Sequence, residues 1–102
     1  MLEFDLSIAN LSYLSDSNSF LLQISMKDPI LMDFIKSMIP KNDKKWLEEL
    51  SSWEINNKWI LDIADLCIDA YEQVFFDHGD DFILDLKQKE AFKEFKNKIK
   101  NF

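Results

Sequence analysis

Between Ile39 and Trp59 the chain reads IPKNDKKWLEELSSWEINNKW, a stretch that holds all three of its tryptophans. Its middle, KKWLEELSSWEI, has two readings. As a β-hairpin it places Trp46 and Trp53 on opposite arms, with Ser51 and Ser52 near the turn. As a short helix capped by Asp43 it turns Trp46, Leu47 and Leu50 inward, and a strand from Trp53 to Ile55 follows. Over so few residues periodicity does not separate the two. In either case Trp46, Trp53 and Trp59, the last one helical turn ahead of Ile63, are expected to form one aromatic core cluster. Their indole N–H groups then need partners near the surface.

Working outward, Asp28-Pro29 signals a helix start, with Asp28 capping free amides and proline at the first helical position. Ile30, Leu31, Phe34, Ile35 and Met38 follow at helical spacing, and Pro40 ends the run. Further upstream, Leu2, Phe4, Leu6 and Ile8 alternate with polar residues and predict a half-buried strand. SDSNS, Ser15 to Ser19, is a turn cluster, and FLLQISM, Phe20 to Met26, predicts a second strand. The two are expected to pair as an antiparallel hairpin with a long connection. Downstream, an apolar stripe from Trp59 through Ile63, Cys67, Ala70 and Tyr71 to Phe75 predicts a helix over about 58–76, with Asn56 or Asn57 as its cap. DHGDD, Asp77 to Asp81, stops it, Gly79 having free access to positive φ. FILDL, Phe82 to Leu86, reads as a short strand or the start of a last helix. From about 88 to 101, Phe92, Phe95 and Ile99 lie at helical spacing among lysines. No internal repeat is apparent. The predicted class is α+β: a small antiparallel sheet of two hairpins against two or three helices, in one domain spanning 1–102.

Composition narrows the function classes. Hydrophobic residues make up 47% of the chain, with nine phenylalanines, which excludes a disordered polymer. Net charge is −7 and every basic residue is a lysine. Arginine is the usual fork for phosphates and guanine edges, so its absence from a net-negative chain argues against direct nucleic-acid binding. The expected partner is a protein with a basic surface. Cys67 is the sole cysteine and sits on the apolar stripe, so it is expected to be a buried, inert thiol. No run of about 18 apolar residues predicts a membrane span. MLEFDLSIAN carries acids where a signal peptide carries basic residues, and the expected location is the cytoplasm of a bacterial or infected host cell.

The segment from Phe34 to about Val74 resembles the HARP-type module found beside some annealing helicases, with related units in small bacterial and phage proteins. The residues that carry the resemblance are Ile35 and Met38, then Ile39-Pro40, Lys45, Trp46, the seven-residue step to Trp53, Ile55, and the helix beginning near Lys58. Two extra residues stand between Pro40 and Trp46, lysines replace arginines, and Asn56 replaces a common proline. The resemblance implies a β-hairpin, a helix, a second hairpin and a helix across the sheet, and hence the hairpin reading of KKWLEELSSWEI. It also implies association with DNA-remodelling enzymes, for which Lys41, Lys44, Lys45 and Lys58 are the candidate nucleic-acid contacts. A base-stacking use of the tryptophans needs a positively charged groove, and here Glu48, Glu49 and Glu54 interleave with those lysines.

The most distinctive feature is a file of acids. Asp62, Asp65, Asp69 and Glu72 step by three, four and three, which on a helix aligns them on one face opposite the apolar stripe. Successive members are then separated by roughly 4.5–6 Å of rise, a spacing suited to mimicking a nucleic-acid backbone inside a basic groove; the other reading is a solvated face that keeps a small domain soluble. Asp77, Asp80 and Asp81 are expected to extend this partner-binding patch. With His78 they form an acidic turn whose spacing matches no calcium loop, so no metal is expected there. One histidine, one core cysteine and one glycine offer neither a catalytic set nor a phosphate loop, so the expectation is a non-catalytic protein without cofactors. Residues 87–102 hold six lysines and two acids, against six and seventeen in residues 1–86. The last helix is therefore basic and amphipathic; it is expected to fold back and neutralise the acidic body, the alternative being a membrane surface or nucleic acid as its target. A remaining reading is self-association through Phe76 or Phe102.

Overall fold

The computed structural model describes residues 7–79 and 83–100. It is an α+β fold in which three hairpin-plus-helix units follow one another. Strands β1 (Ile8–Leu14) and β2 (Ser19–Ile24) precede helix α1 (Pro29–Ser37). Strands β3 (Lys44–Leu47) and β4 (Ser52–Asn56) precede α2 (Ile60–Ala70), and β5 (Gln73–Asp77) and β6 (Ile83–Asp85) precede α3 (Lys89–Ile99). The sheet order is β3-β4-β2-β1-β5-β6. All pairings are antiparallel except β1 with β5, which is parallel, because α2 carries the chain across the sheet before β5 enters.

KKWLEELSSWEI is the hairpin β3–β4, with Trp46 opposite Trp53. The first two hairpins share one turn design. Each strand pair closes with leucine opposite serine, Leu14 with Ser19 and Leu47 with Ser52, and the intervening four residues form a short 3-10 turn ending in a left-handed residue. Those residues are Asn18 (φ 52°) and Ser51 (φ 47°). Going from the first hairpin to the second adds 33 to each number: Tyr13 to Trp46, Leu14 to Leu47, Asn18 to Ser51, Phe20 to Trp53. A repeat of structure therefore exists where the sequence shows none, because its conserved property is residue type at turn and pairing positions, not identity.

Along each strand alternate side chains face the helices. Ala9 and Leu11, Phe20 and Leu22, Ile55, Val74 and Phe76, and Leu84 line that face and are buried. They meet Leu31 and Ile35 of α1, Ile63, Ala64 and Cys67 of α2, and Phe95 of α3, whose ring lies 4.8 Å edge-on to that of Phe76. Helix α1 begins as its sequence predicts: the Asp28 carboxylate accepts from the Leu31 N–H at 3.0 Å, and Pro29 fills the first position.

Several expectations need correction. The hairpin connection is short, since β1 runs on to Leu14; Leu2, Phe4 and Leu6 lie outside the described residues. Ile8 faces away from the helices, so the buried phase begins at Ala9. Ile30 and Met38 are 69% and 59% exposed, because α1 buries only the narrower stripe of Leu31 and Ile35. The second helix ends at Ala70, not near Phe76, because the chain from Gln73 pairs with β1 and gains backbone partners on a buried sheet. Phe82–Leu86 takes the strand alternative over Ile83–Asp85. Phe76 is fully buried and presents no surface for self-association, while Phe102 lies outside the described residues. No helix among the described residues is long and apolar enough to cross a membrane.

Candidate partner-binding surface

Helix α2 is held at both ends. Before it, the Asn56 side chain accepts from the Lys58 N–H at 3.0 Å, and Trp59 donates its indole N–H to Asp43 at 3.1 Å. Lys58 closes on the same carboxylate at 2.9 Å. These contacts, the indole hydrogen bond first, hold the Asp43 carboxyl below its ordinary range. At the other end Lys87 donates to the Ile68 carbonyl at 2.6 Å. Lys44 does the same for α1, donating to the carbonyls of Ile35 and Lys36 at 2.5 and 3.3 Å. With one glycine in the chain, lysines from the following units supply the helix C-terminal partners that glycine caps would otherwise organise.

On this fixed helix Asp62, Asp65 and Asp69 are all exposed, on the side away from Ile63, Ala64 and Cys67. Asp62 lies in the first turn, where the helix dipole favours a negative charge. Asp69 lies in the last turn, where the dipole opposes one. Partial desolvation pushes the Asp65 carboxyl up; Lys96 of α3 opposes this, and the charges of Asp62 and Asp69 add to it. Among the described residues Lys96 is thus the one lysine of α3 that acts on this carboxyl, and it does not outweigh the desolvation.

Glu72 does not belong to the helical row. The helix has ended, and the Glu72 N–H is committed to the Ser7 carbonyl at 3.1 Å and the Ser7 hydroxyl at 2.9 Å at the start of β5. Asp77 does not extend the row either. It follows Phe76 in β5 and so projects from the opposite sheet face to α2, where its carboxylate accepts from the Gly79 N–H at 2.9 Å. Asp80 and Asp81 lie outside the described residues. The helical acidic row is therefore three carboxylates long. Among the described residues no group of three or more His, Cys, Asp or Glu side chains is arranged to hold a metal ion.

The lysine set fares differently. Lys44 is turned to α1 and Lys58 to Asp43, while Lys45 stands opposite Glu54 across the β3–β4 pair. Lys41 is exposed. A polar cleft of about 290 Å³ gathers Lys44 and Lys45 with Asp43, Glu54, Ser17 and Ser19. Its serines are hydrogen-bonded to each other at 2.6 Å, and Ser19 donates to Glu54 at 2.8 Å. Acids match the lysines there, so the groove is not a positive channel.

The tryptophans do not form a single core cluster. Trp46 and Trp53 pair edge-on at 5.3 Å, whereas Trp59 pairs with Phe34 at 6.0 Å. Trp53 and Trp59 pack against the core, but Trp46 is 44% exposed because β3 is the edge strand. The expectation of surface partners holds for two indoles, Trp59 with Asp43 and Trp46 with Glu48 at 2.8 Å. Sequence reasoning passed over a shallow pocket of about 340 Å³ at this hairpin tip, lined by Trp46, Leu47, Glu48, Glu49 and Leu50. The signal was available: WLEEL puts two apolar side chains and two acids at the end of a strand. Cys67 is buried, and burial, helped by the charge of Asp28, pushes its thiol up to about 12.

No family profile matches the chain, and no curated protein or solved structure matches it.

Proposed function

We propose that the protein is a small acidic, non-catalytic binding module or inhibitor that occludes a basic, nucleic-acid-binding surface on a partner protein. The setting that suits such a device is a phage or mobile element acting against a nuclease or defence complex in the cytoplasm. The observation that carries this reading is the row Asp62, Asp65 and Asp69, exposed on a helix tied down at both ends. The row is retained at a cost, through like-charge neighbours at i,i+3 and i,i+4 and an acid at the helix C-terminus. Steps of about 4.5 and 6 Å along the axis present its charges at about the interval of an extended phosphate backbone. Association driven by such a row is fast at low salt and weakens as salt rises.

The test is capture of a partner from the source cell, repeated with Asp65→Lys/Asp69→Lys. Loss of capture by the reversed variant, with displacement of DNA from the captured protein by the wild type, is expected. Undiminished capture would refute the assignment of the row. A second reading, a nucleic-acid-associated accessory module of the HARP type, is favoured by the order hairpin, helix, hairpin, helix along residues 8–70. A gel shift at low salt on single- and double-stranded DNA separates the two: tight binding supports the accessory module and removes the mimic.

A further inference from the structure

The hairpin tip carries a second feature that the acidic row does not explain. Trp46 and Leu50 are 44% and 52% exposed, and with Leu47, Glu48 and Glu49 they line a pocket of about 340 Å³. That volume lies at the lower end of the range of ligand sites. Trp46 is not free to rotate away: its indole N–H donates to Glu48 at 2.8 Å, and its ring is braced by Trp53 at 5.3 Å. A fixed indole face is therefore presented beside two exposed carboxylates.

We infer that this pocket receives a cationic side chain, an arginine or lysine of a partner protein. The charged head meets Glu48 and Glu49, and the aliphatic stem and π-face contact are supplied by Trp46 and Leu50. Charge complementarity selects this occupant. An indole attracts a cation over its face, and the flanking carboxylates favour the same charge while repelling a phosphate or a peptide carboxylate. A nucleobase would bring its phosphate against Glu48 and Glu49. A whole strand added to the β3 edge would run past the exposed Lys45, a charge of the kind that blocks edge pairing. What fits is one basic side chain at the tip, not a strand along the edge.

The site is separate from the α2 row, so its test does not depend on that row. The probe is a blocked tetra-arginine peptide, titrated at low salt into isotopically labelled protein, with tetra-glutamate and a dT oligonucleotide as controls. The expected result is a saturable shift of the Trp46 indole N–H and of the Leu47–Leu50 amides. Glu48→Gln/Glu49→Gln should weaken that phase about five-fold, and Trp46→Phe, which keeps an aromatic opposite Trp53, about two-fold. Asp62→Asn/Asp65→Asn/Asp69→Asn should leave it in place. A Trp46 indole that stays still, that follows the α2 substitutions, or that moves with the oligonucleotide overturns the inference. A thermal melt of each variant ensures that a lost shift is not a lost fold.

Discussion

The charge of Asp65 should cost the protein stability, and Asp65→Asn should recover it. Asp65 sits mid-helix, so the dipole acts on it weakly, and asparagine and aspartate have nearly equal helix propensities. What changes is charge. Partial desolvation is the largest contribution to the penalty, and the like charges of Asp62 at i−3 and Asp69 at i+4 add to it, each by roughly 0.2–0.5 kcal/mol. Attraction to Lys96 offsets part of this. The raised carboxyl points to an unfavourable balance, and after discounting for solvent screening at this exposed site a net gain of up to about 0.5 kcal/mol is expected for the variant at pH 7 and low salt. For a chain of this size that is a rise in Tm of up to about 4 °C.

The sign of the pH dependence follows. The folded state holds the Asp65 proton more tightly than the unfolded state, whose value lies near the ordinary 3.8. As pH falls through the raised folded value, wild type takes up the proton and sheds the penalty. The variant's advantage should therefore shrink with acidification and vanish below the unfolded value. Melts of both proteins from pH 7 to pH 3.5, at low and high salt, measure it. A variant less stable than wild type at pH 7 would mean that Lys96 clamps Asp65. An advantage undiminished in acid would mean that charge is not its cause.

Three further outcomes follow from the same geometry. Ser51→Gly should stabilise by about 0.5–1 kcal/mol, because a serine is held at φ 47°, while Asn18→Gly at φ 52° should destabilise by about 1 kcal/mol, because asparagine tolerates that region and its Oδ1 accepts from the buried Asn57 side chain at 3.2 Å; chemical denaturation of both reads the difference. Lys44→Met should cost about 1–2 kcal/mol in the same assay, since the carbonyls of Ile35 and Lys36 lose a charged donor at the end of α1. Cys67 should resist a thiol reagent in the native protein at pH 8, its thiol being buried and pushed up to about 12, and should react at the rate of opening; rapid native labelling would refute its burial.

What the sequence revealed and what it hid divide along local and non-local forces. The start of α1 was legible because Asp28 and Pro29 act on their own helix. The end of α2 was not. From Ala70 to Phe76 the apolar residues satisfy a helical stripe, yet Val74 and Phe76 are the buried pair and Phe75 faces the other way. Only docking beside β1, more than sixty residues earlier, decides between the two periods. The six residues Ala9–Leu14 were missed for a related reason. Ala9, Leu11 and Tyr13 do alternate with Asn10 and Ser12, but in the opposite phase to Leu2, Phe4, Leu6 and Ile8, so a pattern extended from upstream passes over them. The acidic row inherited the error at α2: Asp62, Asp65 and Asp69 align because they precede the true helix end, and Glu72 falls beyond it.

Shortening the row changes what it can do. Under the proposed function three exposed carboxylates would accelerate encounter and orient a partner, but exposed ion pairs are worth only about 0–1 kcal/mol each. A long-lived complex needs an apolar anchor as well. Helix α2 runs back from the end of β4, and the Glu72 N–H meets Ser7 at the start of β1, so Asp69 lies toward the same end of the sheet as the β3–β4 tip. Four strand spacings separate β3 from β5, on the order of 20 Å. That exceeds a Debye length in physiological salt, so the two features act on a partner separately, yet one interface of ordinary size of about 800 Å² per partner spans them. Under the proposed function the row would set how fast a basic partner arrives, and under the pocket inference Trp46 with Leu50 would set how long it stays. Substitutions in α2 should then alter association rate and its salt dependence, and substitutions at the hairpin tip the dissociation rate.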